Sequence, residues 1–154
     1  VKEAMFSILQ SEIPGATVLD LFSGSGQLGI EALSRGAKRC VFVDSSRESV
    51  EITKQNLKTT SLFEQSVVIT SDSIAYLKSC SERFDIVLLD PPYKSSLLEK
   101  ALDIIPSILY PRGVALCETT VDYSFPEIIK NLSLKKEYRY GKIKLVIYSM
   151  EEIK

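Results

Sequence analysis

The sequence predicts an α/β fold: an open, doubly wound, mostly parallel sheet of seven strands with helices on both faces. Three observations carry this expectation. Short apolar runs recur along the chain, stretches of helical spacing separate them, and the last two runs stand too close together to be joined by a helix. Alternating strands and helices imply right-handed parallel crossovers, and the closing pair implies a C-terminal antiparallel hairpin.

Val1, Ala4, Met5, Ile8 and Leu9 share one face of an opening helix that Pro14-Gly15 terminates. Residues 17–21 form the first strand. Leu28, Gly29, Ala32 and Leu33 line the next helix, which Gly36 can close in a left-handed cap, and residues 40–43 give a second strand ended by Asp44. Ser45 and Glu48 have capping-box spacing for a helix reaching residue 57, and residues 67–69 give a third strand leading to Asp72. A short helix through Ile74 and Leu77 precedes the fourth strand, residues 84–89. Ser96 and Glu99 are placed to cap a helix whose apolar face is Leu97, Leu98, Ala101, Leu102 and Ile105, with Pro106 ending it. Pro111-Arg112-Gly113 turns into a fifth strand at 114–118, and residues 125–132 read as a helix. Residues 138–140 and 145–148 flank Gly141-Lys142 as the arms of the hairpin.

The 154 residues, 45% hydrophobic, suit one domain spanning 1–154, with no stretch that reads as a linker. No apolar run approaches the roughly 20 residues that span a bilayer, and no signal peptide opens the chain, so a cytoplasmic protein without a membrane partner is expected. Cys40, Cys80 and Cys117 form no C-x-x-C pair and read as small buried hydrophobes in a reducing compartment. Histidine is absent, which excludes Ser-His-Asp triads and histidine metal sites; no metal is expected. A net charge of −1 argues against holding nucleic acid by bulk electrostatics. Lys135, Lys136, Arg139, Lys142 and Lys144 nevertheless cluster near the C-terminus, where a solvated strand face is the simpler reading.

In such a sheet ligands bind beyond the carboxyl ends of the strands. Asp20, Asp44, Asp72 and Asp90 fall at or just after four of those ends and are expected to surround one crevice. Gly24-Ser25-Gly26-Gln27-Leu28-Gly29 fits the dinucleotide pattern G-x-G-x-x-G, with Asp44 twenty residues after Gly24. Yet Asp20 precedes the turn and Phe22-Ser23 intervene, so a negative charge stands where a pyrophosphate would lie. An acid there favours an ammonium, such as the methionine part of S-adenosylmethionine.

The order of these parts resembles the Rossmann-like S-adenosylmethionine-dependent methyltransferases. Within them, the stretch from Val18-Leu19-Asp20-Leu21-Phe22-Ser23-Gly24-Ser25-Gly26 to Gly36-Ala37, the Asp90-Pro91-Pro92-Tyr93 tetrapeptide, the opening helix and Tyr140-Gly141-Lys142 resemble the RsmD family. Those bacterial enzymes methylate N2 of a guanine in small-subunit ribosomal RNA. The resemblance implies S-adenosylmethionine as cofactor and ribosomal RNA or the small ribosomal subunit as partner. It implies that the loop carrying Asp20, Phe22, Gly24, Ser25 and Gly26 holds the methionine half. Asp44, beside Ser45, accepts the ribose hydroxyls, and Asp72 and Ser73 meet the adenine. Asp90 and the Pro91 carbonyl accept the hydrogens of the target amine, Pro91-Pro92 hold that carbonyl outward, Tyr93 stacks on a flipped base and Lys94 meets a phosphate. The family also carries a basic segment with Arg-Pro-Thr upstream of the opening helix, which a chain beginning at Val1 is expected to lack. A DNA adenine-N6 methyltransferase, a non-catalytic cofactor- or RNA-binding protein and a nicotinamide enzyme stay open as alternatives.

Overall fold

A computed structural model describes residues 2–91 and 96–150, so Pro92, Tyr93 and Lys94 of the tetrapeptide loop lie outside the described residues, as does Val1. In chain order the elements are α1 (Lys2–Ile8), β1 (Thr17–Leu21), α2 (Gln27–Ser34), β2 (Arg39–Asp44), α3 (Arg47–Thr59), β3 (Ser66–Thr70), α4 (Ser73–Ser79), β4 (Phe84–Leu89), α5 (Leu97–Ile104), β5 (Leu109–Thr120), β6 (Ile128–Ile129), β7 (Leu132–Tyr140) and β8 (Ile143–Met150). The strands form one sheet in the order β3-β2-β1-β4-β5-β8-β7-β6. The pairs from β3 to β5 are parallel, whereas β8, β7 and β6 are added antiparallel. The α/β class, the parallel half and the closing hairpin are as the sequence predicts.

Period-two alternation sorts the buried side chains into two cores. Leu19, Leu21, Val41, Val43, Val87 and Leu89 face Leu77 of α4 and Leu98, Ala101 and Leu102 of α5. Val18, Phe42, Ile86, Leu88 and Leu116 face Met5 and Phe6 of α1, Ala32 and Leu33 of α2 and Leu57 of α3. A sheet covered on both faces needs apolar residues on both sides of its strands, which is why β1, β2 and β4 read as largely apolar runs instead of alternating with polar residues. Cys40 of β2 and Cys117 of β5 are buried, and all three cysteines are free.

Helix ends follow local chemistry. The Gly36 N–H donates to the Leu33 carbonyl and the Ala37 N–H to the Ala32 carbonyl, the paired bonds of a Schellman cap, with Gly36 at φ 105°. Pro106 stands in a single 3₁₀ turn, Ile105–Ser107, directly after α5.

Four expectations need correction. The sheet has eight strands, because residues 125–132 do not form a helix: Ile128–Ile129 is a strand that pairs with Leu132 and Ser133. The cap of α3 is Ser46, whose Oγ accepts the Ser49 N–H, and not Ser45. Ser96 precedes α5 but makes no side-chain cap bond. Strand β5 starts at Leu109, before the expected turn; its pairing jumps from Phe84↔Leu109 to Ile86↔Val114, so that Pro111-Arg112-Gly113 loops out within the strand.

Candidate active site

The parallel strand order reverses on either side of β1 and β4, and a cleft of about 690 Å³ opens at their carboxyl ends. That size lies within the roughly 300–1,000 Å³ typical of small-molecule and cofactor sites. Phe22, Gly24, Ser25, Asp44, Ser45, Asp72, Ser73, Asp90 and Pro91 all line it, so most of the residues singled out in the sequence come together. Asp20 and Gly26 do not line it: Asp20 is buried beneath the wall, and Gly26 packs against α3.

The glycine turn is held by backbone chemistry. Gly26 has φ 84°, and a Cβ there would come within 2.8 Å of the Thr53 side chain. Thr53 in turn donates its hydroxyl to the Gly24 carbonyl at 2.8 Å, and the Asn56 amide donates to the Ser25 carbonyl at 3.0 Å. Gly26 offers no side chain to cap α2. Asp20 does so from a distance, accepting the Gly29 N–H at 2.9 Å, one of the donors a helix start leaves unpaired.

Asp44 ties two loops to the cleft: its two carboxylate oxygens accept the Gly24 and Ser46 N–H groups, each at 2.8 Å. Asp72 is the N-cap of α4, accepting the Ala75 N–H at 2.9 Å. Both acids thus hold local backbone in place and also stand on the cleft wall.

Burial pushes the Asp20 carboxyl up to about 8, opposed by its bond to Gly29 and reinforced by the negative charges of Asp90 and Asp44. Asp90 has a neighbour that sequence reasoning missed. Leu89 pairs with Cys117, so the next residues, Asp90 and Glu118, stand side by side on the face that carries Leu88 and Leu116. Burial and a hydrogen bond to Asp90 push the Glu118 carboxyl up to about 7. Glu118 ends an apolar run just as Asp44 and Asp90 do, and that pattern was the signal that could have found it.

Lys2 and Met5 of α1, Gln27 and Leu28 of α2, and Ser23 also line the cleft. Of these, Ser23, Gln27 and Leu28 lay inside the glycine-turn stretch the sequence made visible, but none was singled out as a site residue. The Ser23 Oγ is buried without a hydrogen-bond partner among the described residues.

A parallel half-sheet continued by an antiparallel hairpin, with acids rather than a bare phosphate cradle at the reversal of strand order, is the build of the S-adenosylmethionine-dependent methyltransferases, and the chain is of that class. A family profile described as conserved hypothetical protein 95 matches residues 1–149. The chain belongs to that family, the RsmD family. Among curated relatives, the ribosomal RNA small subunit methyltransferase D of Haemophilus influenzae is 36% identical over 155 residues, covering 96% of this chain and 79% of the relative. The protein of the same name from Escherichia coli is 31% identical over 153 residues, covering 98% and 77%. A solved structure of a conserved hypothetical protein from Streptococcus pyogenes superposes with a TM-score of 0.90 at 32% identity, covering 98% of this chain and 96% of that one. No helix among the described residues is long and apolar enough to cross a membrane.

Proposed function

We propose that this protein transfers a methyl group from S-adenosylmethionine to the exocyclic N2 amine of a guanine in small-subunit ribosomal RNA. The observation that carries the reading is Asp90 followed by Pro91 at the mouth of the cleft, in a chain whose relatives bear the name ribosomal RNA small subunit methyltransferase D.

The donor set fits the cofactor. Ser23 Oγ has no partner among the described residues, Asp44 and Asp72 keep lone pairs for hydroxyl and amine donors, and the acids around the cleft suit a ligand that is positive at both amine and sulfur. When bound, S-adenosylmethionine supplies an electrophilic methyl on a sulfonium, so the protein needs no covalent catalyst. Gly24, Ser25 and Phe22 hold the methionine half, with Asp20 behind them; Asp44 and Ser45 hold the ribose; Asp72 and Ser73 hold the adenine.

The remaining work is positioning. The lone pair of a guanine amine is delocalised into the ring and attacks poorly while the group is planar. Asp90 and the Pro91 carbonyl accept the two amine hydrogens, aim the nitrogen into the cleft and relieve positive charge as it develops. Glu118, in its protonated form, donates to Asp90 and fixes which carboxylate oxygen meets the amine. Tyr93 stacks on the base once it leaves its helix, and Lys94 takes a flanking phosphate. Ribosomal RNA, bare or within the small subunit, is the partner in this proposal.

Nucleoside mass spectrometry of small-subunit ribosomal RNA, from cells with and without the gene, tests the reading. Loss of one N2-methylguanosine is expected, restored by the wild type and not by Asp90→Ala. Purified Asp90→Ala should retain substantial cofactor affinity. An unchanged nucleoside profile in a strain without redundant activity would overturn the proposal.

A further inference from the structure

The basic segment near the C-terminus has an order that a merely solvated strand does not need. In β7, Lys136, Tyr138 and Tyr140 pair with Ile147, Leu145 and Ile143, and these six side chains share the sheet face of α1. One cation and two aromatics therefore follow one another along one face, and Lys142 comes next in the two-residue loop. The Lys136 ammonium lies 5.0 Å from the Tyr138 ring centroid. Tyr140 is 41% exposed, so its ring is open to solvent. Among the described residues neither Lys136 nor Lys142 has a carboxylate partner. Lys144, by contrast, is buried; its ammonium is taken up by the Tyr123 carbonyl and Glu137, which removes it from the cluster the sequence suggested.

Register places this stripe beside the cleft. Glu118 pairs with Leu145, and Leu145 with Tyr138, so Asp90, Glu118, Leu145 and Tyr138 stand in one row across β4, β5, β8 and β7. Three strand spacings separate the ends of that row, about 14 Å. The loop that carries Lys142 projects from the same carboxyl edge, since Thr120 pairs with Ile143, and the Val121 N–H donates to the Lys142 carbonyl at 3.1 Å. Lysines on an outer strand also deter edge pairing, but that task does not call for exposed tyrosine between them.

We infer that Lys136, Tyr138, Tyr140 and Lys142 form a docking platform for the single-stranded RNA that flanks the target base, the lysines meeting phosphates and Tyr140 stacking on an unpaired base. The inference rests on the methyltransferase reading for the place of the target base. Its chemistry is that of single-strand binding surfaces, in which a positive track follows the backbone and aromatic rings accept bases of any sequence. It also accounts for RNA binding by a chain whose net charge is −1, because the positive charge needed is local.

The test is salt-dependent binding of a labelled, mixed-sequence single-stranded oligoribonucleotide, run beside methyl transfer to small-subunit RNA. Lys136→Gln/Lys142→Gln should weaken binding and reduce the slope of log K against log salt by about 1.4, about 0.7 for each phosphate that is no longer neutralised. Tyr140→Ala should weaken binding about tenfold. Lys78→Gln, at an exposed position of α4, should leave both quantities unchanged, and melting temperature and cofactor affinity should match the wild type throughout. Wild-type affinity and slope in the double variant would overturn the platform. If those variants also transfer methyl normally, the platform falls and the enzymatic reading stands. If the wild type transfers no methyl to RNA while the variants lose RNA binding, the platform stands and the reading falls.

Discussion

Asp20 and Glu118 are carboxylic acids whose folded environment holds their protons more tightly than water does. A group raised in this way makes the folded state most stable below its unfolded pKa, and that advantage is lost as pH rises through the folded value. For Asp20 the window runs from about 4 to about 8, with Asp90 and Asp44 as the charges that set it besides burial. Asp20→Asn keeps an acceptor for the Gly29 N–H and cannot ionise. Urea unfolding of the cofactor-free protein should therefore show stability falling between pH 5 and 8 in the wild type, and a visibly shallower fall in the variant. Equal slopes would mean that Asp20 does not carry the proton. For Glu118 the consequence is catalytic. Glu118→Gln can still donate to Asp90 and should keep most of the transfer rate while erasing a titration near pH 7 from the kcat profile. Glu118→Ala should lower kcat about tenfold or more, with cofactor affinity retained. A rate profile identical in all three proteins would remove Glu118 from the mechanism.

Among the elements, α2 is the one most tightly specified, and Gly29 is the reason. A Cβ at this position would stand 2.3 Å from the Phe42 ring and 2.7 Å from Cys40 Sγ, so α2 packs on β2 at a distance only glycine permits. Gly29→Ala should cost about 1–3 kcal/mol by overpacking, read from chemical denaturation, and should weaken cofactor binding because the helix and the glycine turn move together. This much was legible locally: G-x-G-x-x-G off an apolar strand states its own geometry. Element β6 was not legible. Its turn places Lys130 at φ 54°, a conformation that glycine or asparagine would have advertised and lysine does not. The strand exists because Ile129 and Leu132 pair there and the Leu134 N–H reaches the Glu127 carbonyl. The shift of the α3 cap from Ser45 to Ser46 has a similar origin, since the Asp44 carboxylate draws the Ser46 N–H and sets where the helix begins.

At the scale of the whole molecule the cleft depends on both cores. Phe6, fully buried, anchors α1 to the sheet, and the same helix brings Lys2 and Met5 to the cleft. Phe6→Ala should cost about 3–5 kcal/mol, a large share of the roughly 5–15 kcal/mol that holds a domain folded. Saturating S-adenosylmethionine should recover part of the lost melting temperature, as a ligand of the folded state must. No recovery would mean that α1 no longer shapes the cleft. The sequence by itself determined the alternation of strands and helices, the hairpin, the glycine turn, and the acids at the strand ends. These follow from periodicity and turn chemistry, which act over a few residues and can be read there. Only the tertiary structure decided that Asp20 sits beneath the cleft as a distant helix cap, that Glu118 stands beside Asp90, and that Tyr138 falls in the row of those two acids. Those relations are set by strand order and register, which join residues far apart in sequence through backbone hydrogen bonds, and no local pattern encodes them.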